Sequence, residues 1–250
     1  NVSDGTVSLT TGGSITRTAT GAISTSGSAN LSLNAVTGIG VIGGNGIDIG
    51  AVGGSVSATN TTSGDLFLNF TGAGTISVGG GSGISQFSGG DLQLDAGGPM
   101  QITGDLAAGT GSITLNPTGA LTRTAGTLTA DTINLGTNDN ATTVGATGAG
   151  AIFVKRSGAA TTSPAVEARA KTGGTGIFIN QASGDLATSS YKLSVADAGQ
   201  SIELATTDGQ IAVNHNYTIE WNANTQNDHV TLIAAGTNKN IVGGTTLVTS

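Results

Sequence analysis

The sequence predicts an all-β chain wound as a solenoid of roughly 20–25 residues per coil with essentially no helix, and three observations predict it. Composition comes first: 43 of 250 residues are Gly and 9% are charged, against about 7% Gly and about 25% charge in an ordinary globular domain. The second is a recurring apolar-x-apolar triplet, and the third is the run of Gly, Asn, Asp, Ser and Thr separating one triplet from the next. Thr, Ser, Val and Ile favour strands and turns, while the scarcity of Glu, Lys and Arg removes the usual helix formers. With only 3% aromatic residues, any core must be narrow.

The triplets are Leu66-Phe67-Leu68, Leu92-Gln93-Leu94, Ile113-Thr114-Leu115, Ile133-Asn134-Leu135, Ile152-Phe153-Val154, Ile177-Phe178-Ile179 and Ile202-Glu203-Leu204, with first positions 26, 21, 20, 19, 25 and 25 residues apart. Such steps suit one solenoid turn holding two or three short strands. Weaker strands at Met100-Gln101-Ile102, Leu121-Thr122, Leu128-Thr129 and Leu193-Ser194-Val195 are expected to form the other walls. Side chains alternate between strand faces, so the first and third residues of each triplet are predicted to point inward and the middle one outward. A longer similarity, Ser8 to Ala19 against Thr114 to Ala125, has an offset of 106 residues, and Ser63-Gly64-Asp65-Leu66 returns as Ser183-Gly184-Asp185-Leu186. About ten to twelve stacked coils, at about 4.8 Å each, are expected. Residues 1–250 read as a single solenoid segment, a fragment of or a subunit within a longer fibre.

Strings such as Ala58-Thr59-Asn60-Thr61-Thr62-Ser63-Gly64-Asp65-Leu66, Gly111-Ser112-Ile113-Thr114-Leu115 and Gly150-Ala151-Ile152-Phe153-Val154 resemble the repeats of filamentous-haemagglutinin-like exoproteins, large repetitive bacterial adhesins. The resemblance covers most of the chain. It implies a right-handed parallel β-helix, secretion through an outer-membrane partner, and a role in adhesion, biofilm or fibre formation. No segment matches the family's N-terminal secretion domain.

A net charge of −7 disfavours nucleic acid and anionic membranes as partners, since both need clustered Lys and Arg. No apolar run approaches the roughly 20 residues that span a bilayer. Absence of Cys fits export, and the start at Asn1 without Met or signal peptide reads as a processed or excised piece.

Gly38-Ile39-Gly40-Val41-Ile42-Gly43 matches the dinucleotide pattern but lacks the helix whose N-terminus would hold pyrophosphate. Gly43-Gly44-Asn45-Gly46-Ile47-Asp48 starts like a calcium nonapeptide, but Gly50 replaces the large apolar residue and no second copy follows, so it reads as a glycine turn. Asp91, Asp95, Asp197, Glu203 and Asp208 read as turn residues capping backbone N–H groups. His215 and His229 have no companions at zinc spacing. Sequons at Asn30, Asn60, Asn69, Asn140 and Asn216 read as turn and ladder asparagines. Thr16-Arg17-Thr18 and Thr122-Arg123-Thr124 lie too far apart for the flat array of an ice-binding solenoid. Tyr217, Ile219 and Trp221 share one strand face and read as core or end cap. No catalytic residue, cofactor or metal is expected.

The most informative irregularity is Phe153 and Phe178 at the outward middle position of consecutive triplets. Two readings are open: an exposed contact patch, or a pair covered by a local loop. Phe153, Phe178 and the C-terminal Leu247 are the candidates for self-association. The function expected is a rod or stalk segment of a secreted bacterial surface adhesin or extracellular matrix filament. A polysaccharide-binding or polysaccharide-degrading β-helix is the alternative. Expected partners are other copies of the chain or flanking repeats, with cell-surface glycans as a further class.

Overall fold

The computed structural model describes residues 2–18, 20–87, 89–157, 164–197, 199–213 and 229–243. They form a parallel β-solenoid of about eight turns, fewer than the ten to twelve the triplet count implied. Two short 3-10 turns, Gly148–Gly150 and Thr188–Ser190, are the only helical elements among them.

Three walls enclose the core. The first is a seven-stranded sheet in which Ile47–Ile49, Leu66–Phe70, Leu92–Ala96, Ser112–Pro117, Thr132–Leu135, Val166–Ala170 and Tyr191–Val195 stack in sequence order. The second is a 14-stranded sheet that starts as one straight ladder, Thr6–Thr10, Asn30–Ala35 and Ser55–Asn60. It then splits, because Ser55 and Val56 pair with Ser77 and Val78 while Ala58 and Thr59 pair with Ile84 and Ser85. The branches rejoin on Gly176–Gln181, where Ile177 pairs with Val144 and Ile179 with Ile152. Ser201–Thr206 and His229–Ala234 continue the fused ladder. The third wall is short: Leu186–Ala187, Ile211–Val213 and Ile241–Gly243.

Inward rows follow the predicted alternation. Leu66, Leu92, Ile113 and Ile133 form one continuous ladder on the first wall, and all four are fully buried. Leu68, Leu94, Leu115 and Leu135 form the next. A single coil cannot bury such a row, so neighbouring coils make the core together.

The wall assignment of the later triplets differs from the sequence reading. Ile133 is followed in its row by Val166, 33 positions on, not by Ile152. The Ile152, Ile177 and Ile202 triplets belong to the second wall. The 106-residue similarity likewise joins different walls: Leu9 lies on the second and Leu115 on the first. The same alternation serves every wall, so the pattern alone does not say which wall a triplet joins.

The Ser-Gly-Asp-Leu recurrence has a physical basis at the corners. Asn60 ends the straight strand, and its amide Nδ2 reaches the turn carbonyls of Ser63 (2.9 Å) and Gly64 (3.2 Å). Gln181 does the same in the later copy, donating to the carbonyls of Ser183, Gly184 and Asp185. Asp65 then accepts the N–H of Asp91 one coil on, and Asp185 that of Gln210. Satisfying buried backbone groups at a corner this way avoids a cost of about 1–3 kcal/mol for each group left unpaired.

Candidate functional site

Phe153 and Phe178 do not stack. Phe153 pairs with Asn180, and Phe178 pairs with Glu203. The displacement arises because residues 145–151 bulge between Val144 and Ile152, which pair with Ile177 and Ile179 on either side of Phe178. Phe67 sits in the same arrangement: Ile39 and Ile47 pair with Leu66 and Leu68 on either side of it, with residues 40–46 bulging between them. Both loops open on a glycine of positive φ, Gly40 (+70°) and Gly145 (+77°). A side-chain carbon at either would lie 2.5 Å from the carbonyl oxygen of the adjacent Phe. In both, the N–H after that glycine bonds the carbonyl four residues further on, Val41 to Asn45 and Ala146 to Gly150. The loop from the preceding coil therefore lies against the outward Phe, leaving Phe67 9% and Phe178 5% exposed. At Gly46 an added side-chain carbon would sit 2.8 Å from the Phe67 ring.

Phe153 is half-buried beneath the Arg123 guanidinium, 3.8 Å from the ring centroid. Arg123 also donates to the carbonyls of Gly126 and Ala149. Burial lowers its proton affinity, and the nearby Asp105 carboxylate acts in the opposite sense. Phe178 is thus a structural clasp under the loop of the preceding coil and does not stack on the half-buried Phe153, which corrects the stacked-pair expectation. Leu247, His215, Asn216, Tyr217, Ile219 and Trp221 lie outside the described residues.

The carboxylates divide by position. Asp91 accepts both the N–H and the hydroxyl of Ser112 at 2.8 Å, and Asp197 accepts the N–H of Gly173 at 2.7 Å. Asp105 likewise takes the N–H of Thr127. Asp95 is no turn cap: it sits on a strand and accepts amide N–H groups from Gln93 and Asn116. Asp208 pairs with Lys239 at 3.6 Å, and Glu203 lies on a strand beside Phe178. Asp48, in the nonapeptide-like stretch, pairs with Arg17 and accepts the Asn69 amide. The dinucleotide-like glycines run into the 40–46 loop and then into strand Ile47–Ile49, not into a helix. Among the described residues no three His, Cys, Asp or Glu side chains gather where they could hold a metal ion. Asn60 of the sequons is 1% exposed.

A glycine-lined cleft of about 310 Å³ opens where the second wall splits, between Gly79, Ser82, Gly83, Thr103, Asp105 and Gly126. Its one carboxylate, Asp105, is the Thr127 cap. The sequence reading missed a surface network on the first wall, where Glu167 meets Arg169 at 2.9 Å and Lys192 at 3.4 Å, and Arg169 also meets Asp139 at 3.1 Å. Hydrogen bonds to Glu167 and then Asp139 raise the affinity of Arg169 for its proton. Register is the signal that joins them, since Glu167 lies opposite Lys192.

The outer faces of the two long walls contrast. The first carries Asp48, Asp95, Glu167, Arg169 and Lys192. The second, in its early coils, carries rows of small neutral side chains: Ser8, Ser32 and Ser57 in one, Thr10, Asn34, Thr59 and Ser85 in another. A third runs from Ser55 through Ser77 and Gln101 to Thr122. Comparison with family profiles, curated proteins and solved structures finds no match.

Proposed function

We propose that the chain is a rod segment of a secreted bacterial surface adhesin or extracellular matrix filament, acting mechanically and not as a catalyst. The observation that carries this reading is the continuous parallel ladder, in which fully buried rows such as Leu66, Leu92, Ile113 and Ile133 run from coil to coil so that each coil completes its core with its neighbours. Among the described residues, strand Thr6–Thr10 has one neighbour in its sheet and so does His229–Ala234. Leu9 continues the inward row of the fully buried Leu33 yet is 39% exposed. Val230, in the row of Ile202, is 39% exposed, and Ile241, in the row of Ile211, is 50% exposed. Open rows of backbone donors and acceptors over apolar side chains favour addition of another coil, from flanking sequence or from a second copy. A head-to-tail contact of this kind is heterologous and need not close, so it yields a filament.

Electron microscopy and sedimentation of the chain at rising concentration test this. Rods that lengthen, and that stop lengthening when Leu9→Lys or Val230→Lys is introduced, are expected. Single short particles at all concentrations would overturn the filament and leave only a stalk segment extended by flanking repeats, whereas turnover of a polysaccharide abolished by one carboxylate substitution would overturn the rod reading itself.

A further inference from the structure

Among the described residues, the outer face of the first wall carries Asp48, Asp95, Glu167, Arg169 and Lys192, and the early part of the second wall differs from it in charge. No residue of its strands from Thr6 to Ala107 is ionisable, although the chain carries a net charge of −7. Apart from Ala107, which continues the Ser85 row, its outward side chains are hydroxyls and amides in three aligned rows. Over the first three coils the ladder is unbroken and in register. The carboxylates in the turns around these strands are engaged there: Asp4 accepts the Ser28 hydroxyl, Asp65 the N–H of Asp91 and Asp105 the N–H of Thr127.

We propose that this neutral face is where two copies of the rod pack side by side. The inference goes beyond the rod reading, because the contact is a different one from end-to-end growth and is tested separately. Two arguments select a second copy as the occupant. The first is charge: a carboxylate-bearing face laid on its own copy brings like charges together, which costs several kcal/mol, and this face brings none. The second is period. Its rows repeat at the strand spacing, about 4.8 Å, so a partner can meet every row over several coils only if it has the same repeat. Another copy of the solenoid has that repeat by construction. Five levels of about 4.8 Å and a width of five residues at about 3.3 Å give a footprint of about 400 Å² on each copy. The total, about 800 Å², is below the specific-interface range. One pair is therefore weak, and repetition along a longer rod strengthens it by effective concentration.

The test compares the unmodified chain with Ser32→Asp/Ser57→Asp on the neutral face and with the charge-matched Thr114→Asp/Ser194→Asp on the first wall. Circular dichroism first confirms that each retains its strand signal, and Ser32→Lys/Ser57→Lys is the second variant if the Asp pair does not fold. Sedimentation reads association, and electron microscopy reads whether particles widen or lengthen. Widening is expected for the unmodified chain and for the first-wall variant, and about tenfold or more weaker association for the neutral-face variant. Salt should strengthen the pairing by screening the remaining negative charge. Failure of the unmodified chain to widen, or equal pairing by the neutral-face variant, overturns the proposal. Lengthening without widening refutes this inference and leaves the rod reading standing; widening without lengthening overturns the filament and leaves this inference standing.

Discussion

Replacing Phe178 by Ala separates the clasp from the exposed patch more sharply than any other single change. The side chain is 5% exposed, flanked by the 145–151 loop in the coil before and Glu203 in the coil after. Removing a buried Phe costs about 3–5 kcal/mol when the site cannot collapse. Collapse is restricted here because Ile177 and Ile179 are held on both sides by Val144, Ile152, Ile202 and Leu204. Phe153→Ala is the internal comparison: the ring is half-buried and its loss removes the contact with Arg123, worth about 0.5–1 kcal/mol at a partly exposed site. Equilibrium denaturation followed by circular dichroism measures both. A loss of 3 kcal/mol or more for Phe178→Ala and a clearly smaller one for Phe153→Ala is the expected order. If Phe178→Ala shifts stability by less than about 0.5 kcal/mol, as a surface substitution does, the loop does not cover the ring and the clasp is wrong.

Ile133→Asp places a charge in a fully buried row between Ile113 and Val166; a loss of several kcal/mol is expected, read as a lowered denaturation midpoint or failure to fold. Asn60→Leu removes the bonds of Asn60 to the Gly38 N–H, the Ser63 carbonyl and the Gln86 amide oxygen, while the Gly64 carbonyl keeps the Gln86 amide as donor, and about 3 kcal/mol should be lost in the same assay. Burial pushes the Tyr191 hydroxyl above its ordinary range, against a smaller opposing effect of Arg156. The fold keeps this proton after the unfolded chain has released it, so the contribution is full below about pH 10 and falls as pH rises further. Tyr191→Phe should therefore flatten the alkaline slope of stability. It should also cost about 1 kcal/mol at neutral pH through the lost bond to Gln181.

What the residues alone reveal is the face of each strand, because alternation is local: Leu92, Leu94, Ile113 and Leu115 are buried as the triplet pattern requires. What they conceal is which wall a strand joins. Ile152-Phe153-Val154 and Val166-Glu167-Ala168 carry the same pattern, and only the pairing of Ile133 with Val166 decides between them. The burial of Phe178 was hidden for a related reason, since its cover comes from the preceding coil. A signal for it exists in the spacing Gly40 to Ile47, which recurs as Gly145 to Ile152, each followed one coil later by an apolar-Phe-apolar triplet.

The split of the second wall has an evolutionary consequence. Between its branches the chain carries five residues at 79–83, two at 104–105, two at 126–127 and seven at 145–151, while the rungs on either side keep their partners. Residues can be gained or lost at this corner without sliding a single inward side chain out of its row. Descent with insertion and deletion therefore erodes the numerical period of the sequence while sparing the rung order of the rod. Related chains are better recognised by counting rungs than by counting residues.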